Sequence, residues 1–240
     1  RAGKHVFVEK PLCLTEDELQ DIRSTYEKQA AEGLHLMVGF NRRFSPHAKE
    51  ARTFFSSRSN PLVMLYRINA GRIPADHWVQ DPDVGGGRVI GEVCHFVDYM
   101  HALCASPPTS VFASRVGRHS SGITEDQCSL SLTFGDGSIG TIIYTAEGSS
   151  ALQKEHFEAH ADGMSLVMSD FMETRTYHNG KSALFKTAKR DKGFAQEMAQ
   201  FVQAIEQGLP PVIPFEQIDA VTRACLLAVR SLSSGVAYPL

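Results

Sequence analysis

Apolar residues near the start of the chain form two short runs separated by a longer polar stretch. The runs HVFVEK at residues 5–10 and LHLMVGF at residues 34–40 are typical of strands. The stretch between them, up to about residue 32, is rich in helix formers, and Thr15 followed by Glu18 is the signature of a capping box at its start. A strand, a helix and a strand joined by short loops predict a βαβ unit with parallel strands.

The following stretch predicts a second helix, a strand and a long loop. Residues 45–58 begin with Ser and Pro, which are typical of a helix start, and the apolar run LVMLYRINA at residues 62–70 predicts a strand. The segment GRIPADHWVQDPDVGGG at residues 71–87 is crowded with Pro, Asp and Gly and predicts a loop. Loops of this length are often functional when they are ordered.

A helical period then runs from residue 88 to about residue 104. Its apolar stripe comprises Val89, Val93, Phe96, Val97, Met100 and Leu103. At about 100° per residue, four polar side chains fall together on the flank of that stripe, namely Arg88, Glu92, His95 and Tyr99. This edge is either the wall of a cleft, which the three glycines before it would let a ligand approach, or a solvated helix edge in which Glu92 satisfies His95.

Alternating apolar and polar residues dominate from residue 109 onward. Strands are predicted over residues 109–116, 126–134, 138–146, 154–161 and 164–170, with weaker candidates at 172–178 and 183–187. The dipeptides Asp136-Gly137, Asp162-Gly163 and Asn179-Gly180 between them suit tight hairpin turns, so this region predicts an antiparallel sheet. Helices are predicted over residues 193–207 and 215–233, at the end of the chain.

A glycine pattern in this sheet region matches a dinucleotide fingerprint only superficially. The segment FGDGSIG at residues 134–140 fits GxGxxG. A nucleotide-binding fingerprint needs its glycines between a strand and a helix, where the helix N-terminus faces the pyrophosphate. Here the segment joins two predicted strands, so it is interpreted as a hairpin turn.

Composition and charge exclude several classes of protein. With 240 residues, 42% of them hydrophobic, and a formal net charge of -3, the sequence is typical of a globular protein and has no basic block for nucleic acid or anionic lipid. No apolar run approaches the ~18 residues of a membrane span. The five cysteines form no CxxC pair, and the first residues do not resemble a signal peptide, so reduced thiols and a cytoplasmic location are expected.

Metal binding and nucleophilic catalysis are disfavoured. Glu92 and His95 form an ExxH, but the second such motif that a di-iron bundle needs is absent. His156, Glu158 and His160 lie on one face of a predicted strand and could hold zinc for a hydrolase, although a polar surface strand is the favoured interpretation. No GxSxG motif occurs and no cysteine has an activating context, so no metal site and no acyl transfer are predicted.

Three segments together resemble the glucose-fructose oxidoreductase / inositol dehydrogenase family, also called Gfo/Idh/MocA. They are VFVEKPL, VGFNRRFSP and GGGRVIGEVCHF, in the order typical of the family. The resemblance implies an α/β (α+β) fold whose C-terminal domain has an open, mainly antiparallel sheet covered by helices on one face. It implies that residues 1–40 are the last βαβ unit of a Rossmann domain and that residues 41–240 form a substrate-binding and oligomerisation domain.

The same resemblance implies an NAD- or NADP-dependent reaction at a CH–OH group. Glu9, Lys10 and Pro11 match the family's EKP motif at the edge of the nicotinamide pocket, where Lys10 would hydrogen-bond the substrate hydroxyl. His95 matches the family's general base, and an imidazole suits this role because its ordinary pKa of about 6.5 is close to working pH. Arg43, after the second strand, is a further candidate contact to the cofactor or substrate.

The sequence also departs from the family pattern. Gly91 stands where the family has an Asp four residues before the His, so Glu92 is expected to orient His95 instead. The long loop contributes the candidate substrate contacts Asp76, His77 and Trp78, because an aromatic ring and polar groups suit a sugar or cyclitol. Arg88 and Tyr99 are the other candidate substrate contacts. The wording GGGRVIGEVCHF resembles a subgroup that occurs in two-domain fusion proteins.

These observations predict part of an NAD(P)-dependent oxidoreductase acting on a sugar, sugar nucleotide or polyol. The main alternative is a non-catalytic sugar-binding or oligomerisation module, which the glycine in place of the Asp favours. A homodimer or homotetramer is expected, because a broad antiparallel sheet must cover its second face. The 240 residues alone are expected to have little dehydrogenase activity, because the glycine fingerprint for the cofactor's pyrophosphate is missing from them.

Overall fold

The computed structural model describes residues 2–81, 83–117 and 125–240. The strands in this part of the chain are β1 (Val6–Val8), β2 (Leu36–Val38), β3 (Val63–Asn69), β4 (Pro108–Arg115), β5 (Gln127–Phe134), β6 (Ile139–Thr145), β7 (Glu155–Ala161), β8 (Met164–Ser169), β9 (Glu173–His178), β10 (Lys181–Lys186) and β11 (Tyr238–Pro239). The α-helices are α1 (Glu16–Ala30), α2 (Pro46–Phe54), α3 (Cys94–Cys104), α4 (Phe194–Glu206) and α5 (Phe215–Ser234).

The first 40 residues form the predicted βαβ unit. Strands β1 and β2 pair in parallel, with Val6 opposite Leu36. Helix α1 connects them and begins at the predicted capping box, in which Thr15 Oγ1 accepts from the amide of Glu18 at 3.2 Å and the Glu18 carboxylate accepts from the amide of Thr15 at 3.1 Å. The carboxyl ends of the two parallel strands therefore point the same way, as the sequence predicts.

The remaining strands form one nine-stranded sheet in the order β10-β9-β8-β7-β3-β6-β5-β4-β11. All neighbouring strands are antiparallel except β3 and β6, which run parallel with Tyr66 opposite Ile142. The prediction of a mainly antiparallel sheet is confirmed. The glycine pattern at residues 134–140 lies in the turn between β5 and β6, and Gly137 has a φ of 87° there, which confirms the hairpin interpretation.

The two faces of this sheet have different surroundings. One face, which includes Tyr66 and Phe157, belongs to a single hydrophobic core with residues of the helices. Helix α5 packs on β4, α2 packs on β9, and α3 packs against α5. The opposite face is open, and its exposed large apolar side chains include those of Val63, Phe112, Ile139 and Ile143. The sheet is thus covered by helices on one face, as predicted.

The helix that carries His95 differs from the prediction at its start. Residues Val89–Val93 form a π-helical turn, and the regular helix α3 begins only at Cys94. The predicted apolar stripe is buried at every position, which confirms its assignment to the core. Tyr99 is also buried, against Tyr66 and Phe157, with ring centroids 5.6 and 4.9 Å away. The cleft edge predicted from 100° per residue therefore does not include Tyr99, because a π-helical turn interrupts the regular spacing.

The other helices begin close to their predicted positions. Ser45 caps α2 by accepting from the amide of Ala48 at 3.0 Å, and Pro46 occupies the first helical position. Helix α4 begins after Gly193, whose φ of 89° suits glycine and whose α-hydrogen faces the carbonyl oxygen of Asn41. Among the helices of the described residues, none is long and apolar enough to cross a membrane.

Candidate functional site

The candidate site lies where the segment after β1 meets the helix that carries His95. Lys10 follows β1, and its Nζ donates to the carbonyl oxygen of Gly91 at 2.7 Å. Gly91 lies in the π-helical turn, four residues before His95. Two residues that are 85 positions apart in the sequence are thereby brought to one place, since Lys10 also acts electrostatically on His95.

His95 is almost fully enclosed by the protein. It is 6% exposed, and its Nδ1 has no hydrogen-bond partner in the described part of the chain. The ring of Phe40 stands edge-on to it, with the ring centroids 6.5 Å apart. Burial holds the pKa of His95 well below its usual range, and four positive charges lower it further, those of Arg42, Lys10, Lys192 and Lys154. The imidazole is therefore neutral at physiological pH and free to accept a proton.

Glu155 on β7 forms ion pairs with two of these cations, Arg42 and Lys192. Its side chain is 0% exposed and accepts two hydrogen bonds from Arg42, each of 2.9 Å, one of 2.7 Å from the hydroxyl of Tyr66, and one from Lys192 Nζ. Burial by itself would raise the pKa of Glu155, but the positive charges of Arg42 and Lys192 outweigh it and lower the pKa to about 2. Glu155 is thus a buried carboxylate whose charge is fully paired.

Glu92 is the second carboxylate of this region that forms ion pairs, with Lys154 and Arg88. Its carboxylate accepts from Lys154 Nζ at 2.6 Å, from Arg88 Nη2 at 2.9 Å and from the hydroxyl of Tyr144. Burial opposes its ionisation, yet Lys154 and the other donors lower the pKa of Glu92 to about 2. Among the described residues, no hydrogen bond joins Glu92 to His95. The expectation that Glu92 orients His95 is therefore not met, because three other donors already hold its carboxylate.

Two predicted contact residues are engaged inside the protein. The Arg43 Nε donates to Asp98 at 2.9 Å, a second nitrogen reaches the same carboxylate, and Nη1 donates to Gln217 at 2.8 Å. Arg88 is 3% exposed, lies over the ring of Tyr144 at 5.3 Å, and donates to the hydroxyl of the same residue. In this structure Arg43 links helices α3 and α5, and Arg88 is buried beside Glu92.

The long loop places its predicted contacts in solvent. Asp76 and His77 are exposed, and Trp78 is 61% exposed. His77 Nδ1 accepts from the amide of Val79 at 3.2 Å, and the His77 and Trp78 rings lie 5.7 Å apart. No contact within the described part of the chain joins these three residues to His95, so the structure does not bring them into the site.

The remaining residues of the EKP segment lie beside the end of β2. The exposed Glu9 faces Gly39, where an added Cβ would lie 3.1 Å from Oε2 of Glu9. Pro11 follows Lys10 through a cis peptide bond. Glu9 and Lys10 thus stand at the shared carboxyl end of the two parallel strands, which is the edge where α/β sheets bind ligands.

The candidate zinc residues lie together on the open face of the sheet. His156 Nε2 is 2.7 Å from Oε1 of Glu158, and His160 Nε2 is 3.6 Å from Oε2 of the same carboxylate. In the part of the chain that the structure describes, no group of three or more His, Cys, Asp or Glu residues is arranged to hold a metal ion. The three residues form a polar surface strand.

Sequence reasoning missed the ionic network behind His95. Its unpredicted members are Arg42, Tyr144, Lys154, Glu155 and Lys192. One signal was available, because the alternation of β7 places Glu155 on the same face as Phe157 and Ala159. A carboxylate at a core position requires a cationic partner, although the partner's identity cannot be read from the alternation.

A cavity of about 620 Å³ opens beside this network, at the carboxyl ends of β3 and β6. Lys154 lines it and also reaches Glu92, which connects the cavity to the surroundings of His95. Two further cations line the cavity, and each has a carboxylate nearby: Arg190 pairs with Asp170, and Arg72 Nε lies 3.8 Å from Glu147. This volume is within the range of small-molecule binding sites.

Comparison with known proteins identifies the middle of the chain. Residues 61–166 match the model of the GFO/IDH/MocA C-terminal domain. The uncharacterized oxidoreductase YrbE of Bacillus subtilis is 29% identical over 145 residues, which are 59% of this chain and 41% of that protein. Inositol 2-dehydrogenase of Rhizobium meliloti is 26% identical over 226 residues, which are 87% of this chain and 65% of that protein. The chain thus spans less than two thirds of the length of these two curated relatives.

A solved structure shows the same fold. Levoglucosan dehydrogenase in complex with NADH and levoglucosan superposes with a TM-score of 0.79 at 19% sequence identity, over 99% of this chain and 74% of that one. The superposition includes both the βαβ unit and the nine-stranded sheet, because it covers nearly the whole chain. The fold inferred from the three sequence segments is therefore confirmed.

Proposed function

Because residues 61–166 match the model of the GFO/IDH/MocA C-terminal domain, we propose that the protein is an NAD(P)-dependent oxidoreductase acting on a CH–OH group of a sugar, sugar nucleotide or polyol. The observation that carries the proposal is the hydrogen bond from Lys10 to Gly91, which joins the EKP segment to the turn before His95. The inositol 2-dehydrogenase relative and the levoglucosan dehydrogenase structure with NADH support the substrate class and the cofactor.

In this proposal His95 is the general base. Its imidazole is neutral because burial and neighbouring cations disfavour the imidazolium, so a ring nitrogen has a lone pair for the proton of the substrate hydroxyl. The alkoxide formed beside it offsets the neighbouring positive charges as the proton moves. Its Nδ1 is buried and has no hydrogen-bond partner among the described residues, so no described side chain competes for that nitrogen.

Lys10 has the complementary role of stabilising the oxygen that loses the proton. Its Nζ uses one donor on Gly91, and an ammonium group has three, so two remain for a hydroxyl or alkoxide oxygen. The cations that lower the pKa of His95 also favour negative charge on that oxygen. The same positive field therefore stabilises the alkoxide and disfavours a lasting imidazolium on His95.

The residues at the carboxyl ends of β1 and β2 fit a nicotinamide dinucleotide. We propose that residues 1–40 are the end of a nucleotide-binding domain and residues 41–240 a substrate-binding and oligomerisation domain. The parallel pairing of β1 and β2, and the contact of Glu9 with Gly39 at their carboxyl ends, support this division. When bound, the nicotinamide supplies the acceptor for the hydride. Glu9, Lys10 and Pro11 would line its edge of the site.

The test uses the protein in its full natural length. Neutral and acidic aldoses, inositols and sugar nucleotides are incubated with NAD or NADP, and nicotinamide reduction is followed by absorbance. Reduction with at least one polyol or sugar is expected, and measurable binding of the reduced cofactor should accompany it. Sugar binding without nicotinamide binding or turnover would contradict the proposal and favour the non-catalytic module.

We further propose that the open face of the nine-stranded sheet joins two copies of the chain into a homodimer, or two dimers into a homotetramer. Four large apolar side chains, Val63, Phe112, Ile139 and Ile143, are exposed on this face. Burying them against a second copy removes apolar surface from water. Sedimentation velocity is expected to show a dimer or tetramer, and a monomer at micromolar concentration would contradict this part of the proposal.

A further inference from the structure

Positive charge exceeds negative charge in the shell around His95. Five cationic side chains contribute to that shell: Lys10, Arg42, Arg88, Lys154 and Lys192. Two carboxylates within the shell bond them, Glu92 and Glu155, and Asp126, which bonds none of them, also acts on Arg88. This leaves an excess of two positive charges.

The nearby acidic groups do not remove this excess. Asp98 is already paired with Arg43. Burial and the neighbouring Glu9 raise the pKa of Glu197 to about 8, so this carboxyl is mostly protonated at neutral pH. Lys10 bonds a backbone carbonyl, and no carboxylate in the described residues forms an ion pair with it.

The carboxylates of Glu92 and Glu155 each already accept several hydrogen bonds from the protein. Glu92 accepts from Lys154, Arg88 and Tyr144. Glu155 accepts from Arg42 through two nitrogens and also from Tyr66 and Lys192. The remaining positive charge must therefore be balanced by something outside this set of residues.

Burial makes the imbalance costly. Arg42 and Arg88 are both buried, and Nη1 of Arg88 has no hydrogen-bond partner within residues 2–81, 83–117 and 125–240. Solvent screens a buried charge poorly, so an anion placed nearby gains more than it would on the surface. A protein that keeps an excess of cations in such a place is complementary to an anionic ligand.

The lysines are the members of the network that a ligand can reach. The side chains of Lys154 and Lys192 are 34% and 17% exposed, whereas the two arginines lie behind them. Lys154 also lines the 620 Å³ cavity at the ends of β3 and β6. The cavity gives room for a substrate group beyond the carbon that reacts.

We infer that the substrate carries a carboxylate or phosphate group, which Lys154 and Lys192 bind while the reacting hydroxyl lies between Lys10 and His95. This inference rests on the proposed oxidoreductase function and narrows its substrate class to acidic sugars or polyols. Each ammonium keeps its ion pair with Glu92 or Glu155 and has further donors for the ligand.

Isothermal titration calorimetry at constant ionic strength tests the inference with matched neutral and acidic sugars. The full-length protein is titrated with D-glucose, D-glucuronate and D-glucose 6-phosphate, and with D-galactose and D-galacturonate. At least one acidic sugar is expected to bind about tenfold or more tightly than its neutral counterpart, because a charge-assisted hydrogen bond is added. The glucuronate and phosphate arms distinguish the two anionic groups.

Variants of Lys154 test whether the preference for acidic sugars depends on the cations around His95. Lys154→Gln is expected to lose most of the preference for the acidic sugar, and Lys154→Arg is expected to retain much of it. Lys181→Gln on the distant strand β10 is the matched control and should leave the preference unchanged. Retention by Lys154→Arg shows that a loss in Lys154→Gln comes from charge rather than from misfolding.

Two further arms separate this inference from its alternatives. Inorganic pyrophosphate is titrated in competition, because the cofactor's own phosphates are a second source of negative charge. The inference is wrong if no acidic sugar binds more tightly than its neutral counterpart, or if only pyrophosphate depends on Lys154. Nicotinamide reduction is measured separately, so oxidation of neutral sugars alone would overturn the inference while leaving the proposed function intact. Tight binding of acidic sugars without any nicotinamide reduction would support the inference about the anionic group and contradict the proposed oxidoreductase function.

Discussion

Replacing His95 by Ala is expected to lower kcat of the full-length protein by about 10²- to 10⁴-fold, the usual contribution of a general base. The effect should be large because no described side chain is hydrogen-bonded to Nδ1 of the imidazole, and we see none positioned to replace His95 as the base. The carboxylates of the network beside His95, Glu92 and Glu155, are ionised but fully engaged by cations. Their low pKa values also make them weak bases at neutral pH.

The measurement compares initial rates of nicotinamide reduction with the substrate found in the panel. Cofactor binding, followed by the fluorescence of the reduced nicotinamide, is expected to be unchanged in the variant. His156→Ala is the matched control, because this histidine pairs with Glu158 on the open face of β7, on the opposite side of the strand from Glu155. Equal turnover by the wild type and the His95 variant would exclude His95 as the base.

Replacing Glu155 by Gln is expected to destabilise the fold by about 3–5 kcal/mol, the range for breaking a buried ion pair. The carboxylate is completely buried, and its loss leaves Arg42 in the core without a counter-charge. At about 2–4 °C per kcal/mol for a chain of this size, Tm should fall by roughly 6–20 °C. Glu173→Gln removes an exposed pair with Lys186 and should leave Tm nearly unchanged.

The pH dependence of the free energy of unfolding is a second test of the stabilising role of Glu155. The pKa of Glu155 is lowered to about 2 in the folded protein, against an ordinary value of 4.5. A lowered carboxyl pKa means that its stabilisation is complete above pH 4.5 and is lost as the pH falls toward 2. Urea unfolding between these values should show a shallower loss in Glu155→Gln than in the wild type. An identical slope would contradict the role of the ionised carboxylate.

Much of the architecture could be predicted because it depends on local patterns. The capping box at Thr15 and the serine cap of α2 use residues that are neighbours in sequence. The strands from β4 to β10 are marked by alternation and by turn dipeptides, which fix register over a few residues. The resemblance of three short segments adds the division into two domains, which no local pattern contains and which stays a prediction.

The site was predicted less completely, for two physical reasons. The π-helical turn before α3 altered the spacing on which the edge of Arg88, Glu92, His95 and Tyr99 depended, so Tyr99 lies in the core. Ion-pair partners are also chosen by packing rather than by spacing. Arg42 and Glu155 are 113 positions apart, and their pairing requires β7 to lie against the segment after β2.

Periodicity and turn chemistry predict the elements and the mainly antiparallel sheet, because both act between near neighbours, and the family resemblance points to the segments that carry Lys10 and His95. The long-range contacts appear first in the folded chain: Lys10 reaches Gly91, Glu92 is engaged by Lys154 rather than by His95, and Arg43 is held by Asp98. Each of these contacts joins groups distant in the chain, and burial, by removing water as the competing partner, makes each carboxylate bond the cations that packing places beside it.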